Sequence, residues 1–359
     1  MPMLTFPCSR NGLFNRTGQA ICAVVMMSMW WSSCTTDARW EVPSTAFHYP
    51  ISKAFHLSDV VASLPLDSGE AVAIWQERTG AIGTVYTEDI LRIGPATAPQ
   101  TMAELHRFLA HPEIAQIEAA IDTTSGASLL RATHETTLER AIQRFHHFFP
   151  EEPVPGVVWM NSGFNFAVYP TEEHLAIGLD WFLGPEHPIV STLAPHMFPQ
   201  YMRERMRPDL IPATALRGWL LVHFSDPWYR TERCVDELLY WGKVMFVLEQ
   251  CLPEVPSHML LDWTAEDWAW AAAHERDIWM ELQPQDALFS ADRLEFGRWF
   301  SEGPFTRIRA IPQDSPDRLG AYMGWRMVRE YMRANPQTPF SELMAMTDYG
   351  PIIKAYRPQ

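Results

Sequence analysis

No complete catalytic motif runs through this sequence. G-x-S-x-G, a glycine-rich phosphate cradle and paired C-x-x-C are all missing, so no short motif supports a serine-hydrolase elbow, a nucleotide loop or a cysteine-metal site. H-E-x-x-H sets two imidazoles on one helical face with a general base between them. It is approached twice and never completed: His134-Glu135 is followed by Leu138, and His274-Glu275 by Ile278. His134 shares the apolar side of its helix with Leu138 and Phe145, and reads as a core histidine before a ligand. His146 and His147 are adjacent, so a helix points them about 100° apart and one metal is not easily shared. A Ser/His/Asp triad needs no short spacing and stays open, but no serine here has a supporting context. Basic charge is also scarce: 28 Lys and Arg stand against 43 Asp and Glu, for a formal net charge of −15. That balance argues against nucleic acid and against basic adsorption to anionic lipid. No apolar run reaches the ~20 residues of a permanent membrane span, and there is no repeat or low-complexity tract.

What is present begins with a leader. Arg10 and Arg16 are the only charges before an apolar run at residues 20–31, AICAVVMMSMWW, which has the length of a signal-peptide core. Ser32, Ser33 and Cys34 follow and resemble a bacterial lipobox, with Trp31 departing from the usual aliphatic residue. Cleavage before Cys34 would leave a thiol ready for diacylglycerol, and multiple lipid chains anchor firmly where one holds weakly. An ordinary cleaved signal peptide is the plain alternative. Residues 1–33 are thus expected to leave as a signal peptide, taking two Arg and no acid, so the −15 of the whole chain becomes −17. Residues 34–46 read as a tether. Cys8 and Cys22 depart with the leader, leaving Cys34, Cys234 and Cys251.

The remaining length is enough for a sizeable core, and the 29 prolines favour many short elements. Residues 47–150 read as a helical N-terminal half, with helices opening at Thr101 and Pro112 and a longer one over 128–149. Residues 157–182 switch to period two. VVWM, then Asn161-Ser162-Gly163, then FNFAVY form a hairpin signal, and HLAIGLDWF a further strand. Helices follow at 199–206, 212–224, 265–282, 290–300, 316–334 and 339–347. The chain is organised around residues 227–252, PWYRTERCVDELLYWGKVMFVLEQCL, read as one helix with Asp226 as cap and Pro227 at its first position. From Leu238 to Leu252 it is apolar on nearly every side, which means enclosure by its own protein. At ~1.5 Å per residue Cys234 and Cys251 would lie roughly 25 Å apart, beyond disulfide reach, so two free buried thiols are expected. Gly320 and Gly324 share one side of their helix and allow close approach of another helix.

Charged residues interrupt apolar surfaces at four places: Asp180, Lys243, Glu249 and Glu275. Buried charges need partners. Internal ion pairs that fix the helix arrangement are the first reading, and an old active-site cleft is the second. Arg203, Arg205 and Arg207 read as a solvated face, or else as a docking surface for an acidic partner.

Several stretches carry a family resemblance: SGFNFAVYP, HLAIGLDWFLGPEHP, FPQYMRERMRPDLIP with LRGWLL, LLYWGKVMFVLEQCLP, ERDIW, the GPFT segment at 303–306, and SPDRLGAYMGWRMVREYM. In consistent order over about residues 47–350, they resemble the gliding-motility lipoprotein GldB family. The resemblance implies a membrane-anchored, periplasm-facing lipoprotein held by Cys34, with nothing to distinguish inner from outer membrane. Its partners would be motility or type IX secretion-machinery proteins and the lipid bilayer. GldB-like proteins also resemble zincin metallopeptidases distantly, which implies an α+β, mainly helical, zincin-like domain with a small antiparallel or mixed sheet. Residues 151–359 would then pack as one unit with residues 47–150. In that frame Trp241–Phe246 stands where H-E-x-x-H would lie and supplies no ligand, while Glu275 falls near the third-ligand position. The expectation is a pseudoenzyme without metal or cofactor, working as a binding or scaffold protein. The alternative is a metallopeptidase-like hydrolase with a non-standard site. The cleft lining is expected to comprise Asn165, Tyr169, Asp180, Lys243, Glu275, Tyr322 and Arg326.

Overall fold

The structure, a computed structural model, describes residues 40–65, 69–124, 128–225, 232–308 and 310–359. The leader, Cys34 and the Asp226–Pro227 cap lie outside the described residues.

The sheet is small because its strands are short. β1 (Phe55–His56), β2 (Gly156–Met160), β3 (Val168–Pro170) and β4 (His174–Gly178) take the order β1-β2-β4-β3. β1 runs parallel to β2 and β2 parallel to β4, while β3 is antiparallel to β4. The sheet is therefore mixed, and the hairpin expected at Asn161-Ser162-Gly163 does not form. That segment crosses over instead. Ser162 N–H and its hydroxyl, with the Phe164 N–H, all donate to the Asp180 carboxylate, which pins the loop across the end of β4. Gly163 and Phe164 adopt positive φ there, a turn that glycine takes freely and phenylalanine only when held. The alternation in β4 is real: Leu175 and Ile177 face the larger core, Ala176 the smaller one. Both faces are covered, as parallel pairing requires.

The larger core surrounds the central helix, Cys234–Cys251. This helix is shorter than the 227–252 read from sequence. Arg233 opens it, its N–H and guanidinium both donating to Asp236 at the third helical position. Cys234 and Cys251 at its ends are buried thiols, not joined in a disulfide. The Leu319–Ala334 helix crosses it at a glycine pair. A Cβ on Gly324 would come within 1.9 Å of the Leu238 carbonyl oxygen, and one on Gly242 within 2.3 Å of the Gly324 oxygen. The two backbones thus touch where the small-residue spacing leads. Gly320 faces the Phe300 ring.

Three helix boundaries move for stated reasons. The 265–282 helix is two helices, Ala265–Ala273 and Glu275–Leu282, broken at His274. His274 leaves helical geometry, stacks on Trp270 at 4.1 Å and bonds through Nδ1 to the Trp270 carbonyl. The 316–334 helix starts at Leu319 because Arg318 sits in left-handed backbone. Within 290–300 a helical turn opens at Arg293, capped by Asp292 in place of Ser290. A last helix, Gly350–Ala355, carries no strong signal in the sequence. Among the described residues no helix is long and apolar enough to cross a membrane.

Candidate functional site

The residues expected to line one cleft occupy three places. Asp180 lies at the end of β4, fully buried, held by Ser162 and Phe164. Burial pushes its pKa up to about 6, against the hydrogen bonds that favour the ionised form. Asn165 is on the same loop and donates to the Ile90 carbonyl (3.2 Å). Tyr169 is edge-on to Phe166.

Glu275, Tyr322 and Arg326 do come together. The break at His274 sits immediately before Glu275, which is buried. Tyr322 OH donates to Oε2 (3.1 Å), and the Arg326 guanidinium lies 2.8 Å from the same oxygen. Tyr356 completes the group by donating to Oε1 (2.8 Å). Burial, then the Glu275 charge, push both phenols up, so they act as hydrogen-bond donors at neutral pH. Tyr356 has no helical or strand context in sequence to mark it; only the fold brings the C-terminus to Glu275. The arrangement ties the Glu275–Leu282 helix, the Leu319–Ala334 helix and the residue that follows the Gly350–Ala355 helix together.

Lys243 faces a different space. It sits in the middle of the central helix, 2% exposed, and its ammonium donates to the carbonyls of Met344 and Met346. Burial lowers its pKa to about 8. It forms part of the wall of a cavity of ≈ 450 Å³, with Phe149, Phe224, Tyr240 and Met344 as apolar wall and Ser341 and Thr347 as hydroxyls. Two acids share the wall, each with a partner. Glu152 accepts from His223 (3.2 Å), and Asp236 accepts from Arg233. His223 stacks on Trp219, and burial lowers its pKa. The size and the mix of aromatic wall and few polar groups are those of a small-ligand site.

A fourth buried cluster escaped sequence reasoning. Asp262 is held by Arg217, Arg318 and Thr214; Asp317 is held by Arg318, Arg205 and Trp263. Arg205, expected on a solvated face, is therefore an internal partner of Asp317, while Arg207 pairs with Asp209 at the surface. Glu249 is likewise internal, accepting from Trp325 (3.0 Å) with Arg329 at 3.4 Å. His134 is buried beside Leu138, as its helical spacing implies. Among the described residues no group of three His, Cys, Asp or Glu side chains converges as a metal site would need.

The described residues form a mainly helical α+β protein with a four-stranded mixed sheet, internal ion pairs and a cavity walled in part by Lys243. The family model described as gliding motility protein GldB matches residues 54–358, nearly the whole chain. The chain belongs to that family, whose short name marks it as a lipoprotein family. No curated protein and no solved structure matches it.

Proposed function

We propose that the protein is a lipid-anchored component of gliding-motility and secretion-linked machinery, held at the membrane through Cys34 and facing the periplasm. We infer that it acts by binding, not by catalysis. The observation that carries the first statement is the family match over residues 54–358. The second is supported by the use of its buried charges. Asp180, Asp262, Glu249 and Glu275 each meet the hydrogen-bond donors or guanidiniums of neighbouring elements, which is the work of structural pairs. The zincin-like reading of the scaffold belongs here too. It rests on the family resemblance alone, with the enclosed Cys234–Cys251 helix taken as the counterpart of the zincin motif helix, an analogy of fold that says little about reaction.

The test is made in the source organism. Replacement of the chromosomal copy by Cys34→Ser should release the protein or trap it unprocessed, and surface spreading should stop. A Cys34→Ser protein that stays processed and membrane-bound would remove the lipid anchor. Glu275→Ala separates binding from hydrolysis: if the folded variant lost a measurable peptidase turnover of the wild type, the hydrolase reading would replace the binding one.

A further inference from the structure

We propose that a second cavity, beside the edge strand β1, binds a small phosphate monoester whose body carries hydroxyls, a ligand of the sugar-phosphate class. The inference goes beyond the role in motility and is tested on purified protein, so either can fail while the other stands.

Three stretches of chain meet at this cavity. Lys53 and His56 arrive with β1, Arg78 with the end of the Gly69–Thr79 helix, and Arg131 and Glu135 with the Ser128–Phe148 helix. Arg131 and Glu135 are four residues apart and so share one helix face. The cavity measures ≈ 360 Å³, within the range of small-molecule sites.

Its donors are held in place without being used up. Arg78 donates to the Ser63 hydroxyl, which is itself tied to the Val60 carbonyl (2.6 Å), and the guanidinium stands exposed. Arg131 is partly buried and meets Asp122 at 3.4 Å, the far end of hydrogen-bond range. Its buried Nε has no acceptor among the described residues. A buried donor left unpaired costs free energy that a bound acceptor returns. His56 accepts the Ser58 N–H at Nδ1 (3.2 Å), which puts the ring proton on Nε2. Burial lowers the His56 pKa, so at neutral pH the ring is an uncharged donor. Lys53 adds an exposed ammonium.

The balance of charge selects the ligand. Lys53, Arg78 and Arg131 face two acids, Asp59 and Glu135. Asp59 is exposed to water, and Glu135 already accepts from the Trp159 indole (2.9 Å). One carboxylate is satisfied by a single guanidinium fork. A phosphate monoester brings a charge of about −1.5 to −2 and three acceptor oxygens, enough to engage both guanidiniums and the imidazole N–H. The free oxygens of Asp59 and Glu135 only accept, so they suit hydroxyls on the body of the ligand and repel a second phosphate.

The test is calorimetric titration of the full-length protein in detergent with glucose 6-phosphate, and separately with glucose and with gluconate. The phosphate ester should bind saturably at one site, at least about tenfold more tightly than either control. Arg131→Met should weaken it by about tenfold or more, as loss of a charge-assisted hydrogen bond does. Should that variant not fold, Arg78→Ala changes an exposed side chain and should weaken binding about fivefold. Phosphatidic acid added to the micelles separates two sources of the same chemistry. Displacement of glucose 6-phosphate assigns the site to a lipid headgroup, and undisturbed binding assigns it to a soluble ester; both outcomes support the site. No saturable binding of glucose 6-phosphate, gluconate bound as tightly, or affinity unchanged in both arginine variants overturns it.

Discussion

Asp180 and Asp262 are both buried aspartates, yet their surroundings push them in opposite directions. Around Asp180 the donors are neutral: two backbone N–H groups and one hydroxyl. Burial dominates, and its pKa stands at about 6. At Asp262 burial also opposes ionisation, but the Arg217 and Arg318 charges outweigh it and hold the carboxyl well below its ordinary value. Dipoles position a carboxylate, whereas full charges compensate for its loss of water. The first region clamps a loop onto a sheet. The second joins the Ile211–His223 helix, the Asp262 turn and the start of the Leu319–Ala334 helix.

The largest effect should come from taking the acid out of the charged region. Asp262→Ala leaves Arg217 and Arg318 buried with one less counter-charge, and should cost about 4 kcal/mol of stability in urea unfolding at pH 7. A loss below about 1 kcal/mol would mean that the guanidiniums re-solvate or re-pair easily, and the contrast with Asp180 would fail.

The Asp180 region should show its difference through pH. Its pKa in the folded state is about 6, against 3.8 in the ordinary carboxylate, so between those values the folded protein binds a proton that the unfolded chain has released. Stability from this group is therefore fully present below about pH 4 and is lost as pH rises through 6. The difference in unfolding free energy between wild type and Asp180→Asn should shift against the wild type by about 2.4 kcal/mol from pH 4 to pH 7. A flat difference would show that the three hydrogen bonds already compensate for burial.

The two regions were not equally legible before the fold was known. Asp180 stood out because the sequence reads it on a strand face with small neighbours, and period two is a local signal; the strand in fact ends at Gly178, and Asp180 lies in the short helical turn Leu179–Phe182 that follows. Its partner loop was misread for the same local reason: Asn161-Ser162-Gly163 between apolar runs fits a hairpin as well as a loop wrapped on a carboxylate. The parallel β2–β4 pairing then had no sequence mark, since the crossing loop is short. The enclosed central helix, the Gly324 contact and the two separate thiols were legible, because each depends on spacing within one helix. The Asp262 cluster was not. Its members lie near 205, 217, 262 and 318, and each reads alone as an ordinary surface charge. The Asp317–Arg318 pair resembles any polar turn until left-handed backbone at Arg318 and Asp262 is seen to aim the side chains inward. Lys243 was singled out as an interruption of an apolar helix, but the cavity it faces is built by the 341–349 segment and by Phe149 and Phe224, which no spacing connects.

Glu275 combines both kinds of partner and gives the finest test of the comparison. One oxygen accepts from the Tyr356 hydroxyl, and the other meets the Tyr322 hydroxyl and the Arg326 guanidinium. If compensation by charge is what makes Asp262 costly to remove, Glu275→Gln should cost less than either aspartate change affects, about 1–2 kcal/mol. The reason lies in the geometry. Gln keeps the shape and one accepting oxygen for a tyrosine. Arg326 remains 13% exposed, so its charge can regain water once its partner is neutral, which Arg318 at 1% cannot do. Urea unfolding of Glu275→Gln beside Asp262→Ala checks the order. A Glu275→Gln cost equal to that of Asp262→Ala would show that the phenols, not the reach of the arginine to solvent, decide what a buried carboxylate contributes here.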